Sequence, residues 1–248
     1  MTEAEKVTVD LEHFARSMRQ LASTLTAEDD PTRLCYELSD KVVEVLRTAG
    51  AGVSVADGSG ALRYVTATNE RAAEIERVQE KTQDGPCMTA YQTDDVVAIA
   101  DVRETDRWPE YLDTADEVGF HAVLGVPMRI RDDKVGALNI YNADPRDWTD
   151  TDINVAWTFA DMATVCLLRS SEVAEAGRIN DQLQQALDSR VLIEQAKGMI
   201  ARRNDIDVDK AFELLRAHAR SKRIKLSNLA RDVVDRAVDV IDSVTSKD

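Results

Sequence analysis

The sequence has few cysteines, and those it has are poorly placed for cross-linking or metal binding. Cys35, Cys87 and Cys166 are an odd, widely spaced three with no CxxC pair. That pattern argues against both a disulfide framework and a zinc site, and reduced thiols are the simpler reading. Aromatic residues are only 5% of the chain, so no stacking surface for unpaired bases is evident. No apolar run approaches the ~20 residues of a membrane helix. The N-terminus, MTEAEKVTVDLEHF, lacks the basic start and apolar core of a signal peptide, so the expected location is cytoplasmic, with no membrane partner. There is no GxxxxGK[ST], no HExxH and no nucleophile elbow, and no carboxylate pair stands out from a surface rich in Asp and Glu. No catalytic residue, metal or cofactor is therefore expected, and the chain does not read as an enzyme.

What the sequence does have is an uneven charge. The net charge is −15, which at first sight excludes a nucleic-acid partner. Residues 190–231, however, hold eleven Lys or Arg against five Asp or Glu, a net +6. The remainder holds 20 basic and 41 acidic residues. A basic module attached to an acidic body is the pattern to explain.

Local patterns divide the chain into three parts: 1–30, 31–168 and 169–248. Residues 8–26 read as a helix whose Leu11, Phe14, Met18, Leu21 and Leu25 form a short heptad seam. Such a seam suits pairing between two chains or packing within one. Asp30 and Pro31 are a cap and first position for the next helix, with Leu34, Leu38, Val42, Val45 and Leu46 on its apolar face. The centre alternates in strand fashion over 51–56 and 61–68, around the hairpin signal Asp57-Gly58-Ser59-Gly60. A polar helix is expected at 69–81, and short helices near 86–92 and 107–118. Further strands are expected at 96–101, 121–130 and 135–142, the last two forming a second hairpin. Five strands flanked by helices indicate an α+β domain on an antiparallel sheet. Thr149 and Asp152 have capping-box spacing. No proline follows Pro145, so one helix, or two nearly continuous ones, is expected from about 150 to 203 as a connector. Helices at 208–220 and 228–243 follow, with Ser227 as the cap of the last.

The C-terminal part carries IEQAKGMI (193–200), AFELLRAHA (211–219) and LSNLARDVV (226–234), in this order. All three resemble the ANTAR family, in its order and spacing, across roughly 180–243. The resemblance implies a three-helix domain that binds RNA, typically paired hairpins in nascent transcripts, and acts by antitermination. It points to Arg190, Lys197, Gly198, Arg202, Arg203, Arg220, Lys222, Arg223, Lys225, Asn228 and Arg231 as RNA contacts. Phosphate neutralisation by Lys and Arg dominates such affinity. The run Arg220–Lys225 is the densest cluster, next to a helix N-terminus that also favours anions. Gly198 in mid-helix costs about 1 kcal/mol against alanine. Close packing against a neighbouring helix and close approach of RNA are both readings of it. Arg202 and Arg203 equally suit the negative end of their helix. Ala196, Ala211, Phe212, Leu215, Ala219, Leu229 and Ala230 are expected in the core, and His218 is read as structural or surface.

Residues 31–168 resemble a GAF domain, through Asp84-Gly-Pro-Cys-Met88, Arg107-Trp-Pro109, the 119–127 strand and Gly136-Ala-Leu-Asn-Ile-Tyr141. Such domains sense small molecules or dimerise. The resemblance places a ligand pocket among Tyr64, Cys87, Tyr91, Trp108, Phe120, His121 and Tyr141, without naming the ligand. The same side chains also suit ordinary core and rim positions. A free cysteine is usually a small buried residue, and one histidine on a strand is weak support for haem. The combined expectation is a signal-responsive RNA-binding regulator acting as a homodimer. A DNA-binding helical module and a sensor acting only through protein partners are the alternatives.

Overall fold

A computed structural model of the chain describes residues 9–27, 31–131, 133–168 and 176–236. Helix α1 spans Leu11–Ala27, and the Asp10 carboxylate accepts the Glu12 and His13 N–H groups at its start. Helix α2 spans Pro31–Leu46, while its expected cap Asp30 lies outside the described residues. Strands β1 (Gly50–Ala56) and β2 (Leu62–Ala67) form the first hairpin. Asp57 closes its turn, accepting N–H groups from Ser59 and Ala61. Helices α3 (Glu70–Thr82) and α4 (Pro86–Thr93) follow, then the short strand β3 (Val97–Ile99) and helix α5 (Pro109–Val118). Strands β4 (Ala122–Ile130) and β5 (Asp133–Asn142) form the second hairpin. The sheet is antiparallel throughout, in the order β2-β1-β5-β4-β3.

Strand alternation gives this sheet two unlike faces. Ala51, Val53, Val55, Leu138 and Ile140 join Leu34, Leu38, Val42 and Phe159 in one apolar core. That core lies under α1, α2 and helix α6 (Asp150–Leu168). The other face, under α3 to α5, presents Gly52, Ser54, Asn139 and Tyr141, with Gly52 opposite Asn139 in the register of β1 and β5. The heptad seam of α1 packs within the chain: Leu21 is buried, and Phe14 meets Phe159 edge-on at 6.2 Å. Leu11 at the end of the seam is 70% exposed, and the Leu25 side chain lies outside the described residues.

The capping box at α6 is reciprocal. Asp152 N–H donates to Thr149 Oγ1 at 3.1 Å, and Thr149 N–H donates to Asp152 Oδ2 at 3.0 Å. Helix α7 runs over Ala176–Asn204, long enough to connect two domains. Its expected continuity with α6 falls on 169–175, outside the described residues. Asp207 caps helix α8 (Val208–Lys222) through the Lys210 N–H. Helix α9 opens at Leu226, one residue before the expected cap Ser227, and is described to Arg236. Burial explains the earlier start. Leu226 is fully buried, and the Lys225 carbonyl accepts the first helical bond from Leu229 N–H. The expected continuation of this helix to 243 lies outside the described residues.

Candidate nucleic-acid interface

The second half of α7 packs with α8 and α9 around Ile193, Ala196, Ile200, Phe212, Leu215, Leu229 and Val233. Every alanine, leucine and phenylalanine expected in this core is buried, and His218 is buried with them. Burial, followed by the Lys222 charge, holds the His218 pKa below the usual histidine range. With apolar groups inside, most charged positions of these helices are left at the surface. Arg220 and Lys222 occupy the last turn of α8, and Arg223 ends it in the left-handed region at φ 54°, donating to the Ala219 and Arg220 carbonyls. With Lys225 they form an exposed basic corner where α8 meets α9. Asn228 and Arg231 are exposed on α9, and Arg202 and Arg203 in the last turn of α7. Gly198 is also exposed, and a Cβ built on it meets nothing within 4 Å. Close helix packing therefore does not explain this glycine.

Two of the expected contacts point the other way. Arg190 donates to Glu80 Oε2 of α3 at 2.6 Å and to the Tyr64 carbonyl, and its guanidinium lies 4.2 Å over the Tyr64 ring. Lys197 has only 5% of its side chain exposed. Its Nζ lies 3.0 Å from Glu194 Oε1, 3.8 Å from Glu70 Oε2 of α3 and 5.0 Å above the Phe212 ring. A third cation behaves likewise: Arg216 pairs with Asp40 of α2 at 2.5 Å. Tyr36, also from α2, is buried in the core of the C-terminal helices with its ring 4.7 Å from Phe212. Asp209 of α8 accepts the Glu70 N–H at the start of α3 at 3.0 Å.

The residues expected to line a ligand pocket divide into groups. Trp108, Phe120 and Tyr141 share one cluster under α3 and α5, with Phe120 stacked on Tyr141 at 5.1 Å. Cys87 of α4 belongs to a smaller cluster with Ala56, Leu62, Met88 and Ala137, with Tyr91 packed against it. Burial pushes the Cys87 thiol well above its ordinary range, as suits an inert core thiol. His121 is partly exposed near Asp116, and Tyr64 faces Arg190.

Sequence reasoning missed the most polar part of this interior. Glu76 of α3 is fully buried. Tyr141 Oη and Asn139 Nδ2 donate to its Oε1 at 2.7 and 2.8 Å, and Ser54 Oγ donates to its Oε2 at 2.9 Å. Burial, opposed by these hydrogen bonds, leaves its pKa above the ordinary glutamate value. Gln79 bridges Tyr141 Oη and the Cys87 N–H. Asn139 Oδ1 and Tyr111 Oη are buried without a hydrogen-bond partner. The available signal was positional. Glu76 and Gln79 follow Ala72 on the apolar face of α3, and Asn139 holds an inward place between Ala137 and Tyr141.

Comparison with known proteins bears on both halves. The family model of the GAF domain matches residues 30–167, more than half of the chain. That of the ANTAR domain matches residues 181–234. Among solved structures, the GAF domain of a Coxiella burnetii phosphoenolpyruvate-protein phosphotransferase is 13% identical with a TM-score of 0.52. That match covers 64% of this chain and 95% of the other. The GAF domain of the Acinetobacter phosphoenolpyruvate-protein phosphotransferase is 11% identical, with a TM-score of 0.48 over 62% and 91% of the two chains. At such identities the likeness concerns fold alone. No curated protein matched the chain. ANTAR is an RNA-binding domain of the antitermination type and GAF a sensory domain; both are regulatory and not catalytic. The antiparallel sheet under its helices, followed by the basic helical unit, thus has its family: the chain belongs to the GAF domain family and carries an ANTAR domain behind it, the GAF–ANTAR architecture.

Proposed function

We propose that this protein binds hairpins in nascent transcripts through its ANTAR domain and promotes antitermination, with the GAF domain as sensory or dimerisation input. The observation that carries the reading is the exposed corner of Arg220, Lys222, Arg223 and Lys225 on an otherwise acidic chain. Arg202, Arg203, Gly198, Asn228 and Arg231 extend it. An RNA backbone gains most where cations cluster. The working division is an N-terminal helix (1–30), a GAF unit (31–168), and a connector with the ANTAR unit (169–248). The interior around Cys87, Phe120 and Tyr141 is the place for a small-molecule signal. A homodimer would present two ANTAR units to paired hairpins and raise their effective concentration. Exposed Leu11 of α1 and Val165 of α6 suit such a contact. Among the described residues no helix is long and apolar enough to cross a membrane; a cytoplasmic site of action fits the RNA target.

The test begins with RNA crosslinked to the protein in cells, expected to be enriched in hairpins upstream of genes. Recovered hairpins then compete against duplex DNA at one salt concentration. Stronger retention on duplex DNA sinks the RNA reading. Charge reversal as K222E/R223E/K225E is expected to weaken hairpin binding by more than about tenfold near 0.15 M salt and to flatten its salt dependence. Regulation that survives this triple change would instead favour action through protein partners.

A further inference from the structure

Helix α3 touches both the sensor interior and the ANTAR domain. Its inner face holds Glu76 among Ser54, Asn139 and Tyr141. Glu70 at its start and Glu80 near its end meet Lys197 and Arg190 of the ANTAR domain. Asp40 of α2 completes the contact on Arg216. Arg190 and Arg216 thus end on GAF carboxylates, and Lys197, hydrogen-bonded to Glu194 of its own helix, has Glu70 as a second carboxylate at 3.8 Å. The geometry resembles what a phosphate backbone would demand: a carboxylate oxygen 2.6 Å from a guanidinium beside an aromatic ring, and an ammonium shielded from water. An RNA strand cannot reach Lys197 while α3 lies over it. Nor can it take Arg190 or Arg216 without displacing Glu80 or Asp40.

We propose that Asp40, Glu70 and Glu80 occupy the places of RNA phosphates, so that the GAF domain and RNA compete for the same ANTAR face. The inference rests on the RNA-binding reading and adds its regulation. The form described here is the closed one. In it the corner at Arg220–Lys225 remains exposed and supplies a first, weak contact, and full binding requires α3 to leave. Asp209 ties the same movement to the ANTAR side, because its carboxylate accepts the Glu70 N–H of α3. Helix α3 connects the competition to the sensor interior: a change around Glu76 that shifts this helix shifts Glu70 and Glu80 with it. Linkage makes the effect reciprocal, so bound RNA must loosen α3 as much as a loosened α3 favours RNA.

The experiment uses the full chain in four forms: wild type, D40N/E70Q/E80Q, D209A, and the control E104Q/E110Q/E117Q. The control removes the same charge from exposed positions around α5. Hairpin RNA recovered by crosslinking is the probe, and acylation of Lys197 relative to exposed Lys222 reports opening. The clasp variant is expected to bind RNA about tenfold more tightly or better than wild type, a coupling of ordinary size. It should also acylate Lys197 faster. D209A should move both readouts the same way by less, and the control neither. Equal RNA affinity in wild type and the clasp variant overturns the proposal. So does an equal gain in the control, or a wild-type Lys197 as reactive as Lys222. If no form binds hairpin RNA, the RNA-binding reading itself fails. D209A, which leaves the three carboxylates in place, keeps the test decisive if the triple variant folds poorly.

Discussion

The two faces of the GAF sheet are built from the same strands and could hardly differ more. Under α2 and α6, Val53, Leu138 and Phe159 pack in an apolar core where the buried hydroxyls of Ser39, Thr66 and Thr164 bond to one another or to helix carbonyls. Under α3, Gly52, Ser54 and Asn139 surround a carboxyl group with no cation against it. A buried polar group contributes little to stability even when hydrogen-bonded and costs much when it is not. The first face therefore holds the domain together, and the second is where a state can change. Both faces are backed by a helix that touches the ANTAR domain, α2 through Tyr36 and Asp40 and α3 through Glu70 and Glu80, but only α3 also holds the buried carboxyl.

The comparison is most easily broken at Phe159. The ring is fully buried between α1 and the sheet. Phe159→Ala is expected to cost about 3–5 kcal/mol, from lost transfer energy and the cavity left behind. Urea unfolding checks it. A cost under about 1 kcal/mol would mean that this face is not the stabilising one.

Gly52 gives a smaller and more specific effect. A Cβ there would lie 2.3 Å from Glu76 Oε1 and 2.9 Å from its Cγ. Glu76 cannot swing aside without losing three hydrogen bonds. Gly52→Ala should cost about 1–3 kcal/mol by overpacking. Shortening the neighbour as Glu76→Ala should relieve that clash, so the double-mutant cycle should show a coupling of about 0.5–3 kcal/mol in the relieving direction. Strict additivity would show that the glycine and the carboxyl do not share space.

Much of this architecture was legible in the sequence, because it depends on near neighbours. Asp57–Gly60 named its own turn, Thr149 and Asp152 their own capping box, and the 3.6-residue period placed Phe212, Leu215 and Ala219 in the ANTAR core. What escaped was decided at long range. Glu80 and Arg190 are 110 positions apart, so no local pattern announces their pairing. The GAF resemblance put Tyr64 among the pocket residues, and no local pattern announces that the Arg190 guanidinium lies over its ring. Glu76 drew no notice within the polar helix expected at 69–81. Its burial follows from small residues on two other strands, which periodicity within α3 cannot reveal. Ser227 was read as a cap for want of knowing that Leu226 is buried.

The smallest effect separates the two faces by pH. Burial raises the Glu76 pKa in the folded chain above its unfolded value, so the folded state holds a proton that the unfolded state has released. By linkage the contribution is fully present below the unfolded pKa, about 4.3 for a free glutamate. It declines as pH rises through the folded value. Glu76→Gln has no such proton to lose. The stability of the variant minus that of wild type should therefore shift in favour of the variant as pH is raised from about 4 to 7, by about 1.4 kcal/mol for each unit of pKa elevation. The quantity to follow is the slope of this difference in urea unfolding, because the amide also disturbs the donors at Tyr141, Asn139 and Ser54 and offsets the whole curve. Phe159→Ala on the opposite face should show no such slope. A flat difference for Glu76→Gln would mean that its carboxyl titrates as it does in water, and the polar face would then lose its claim to be the switchable one.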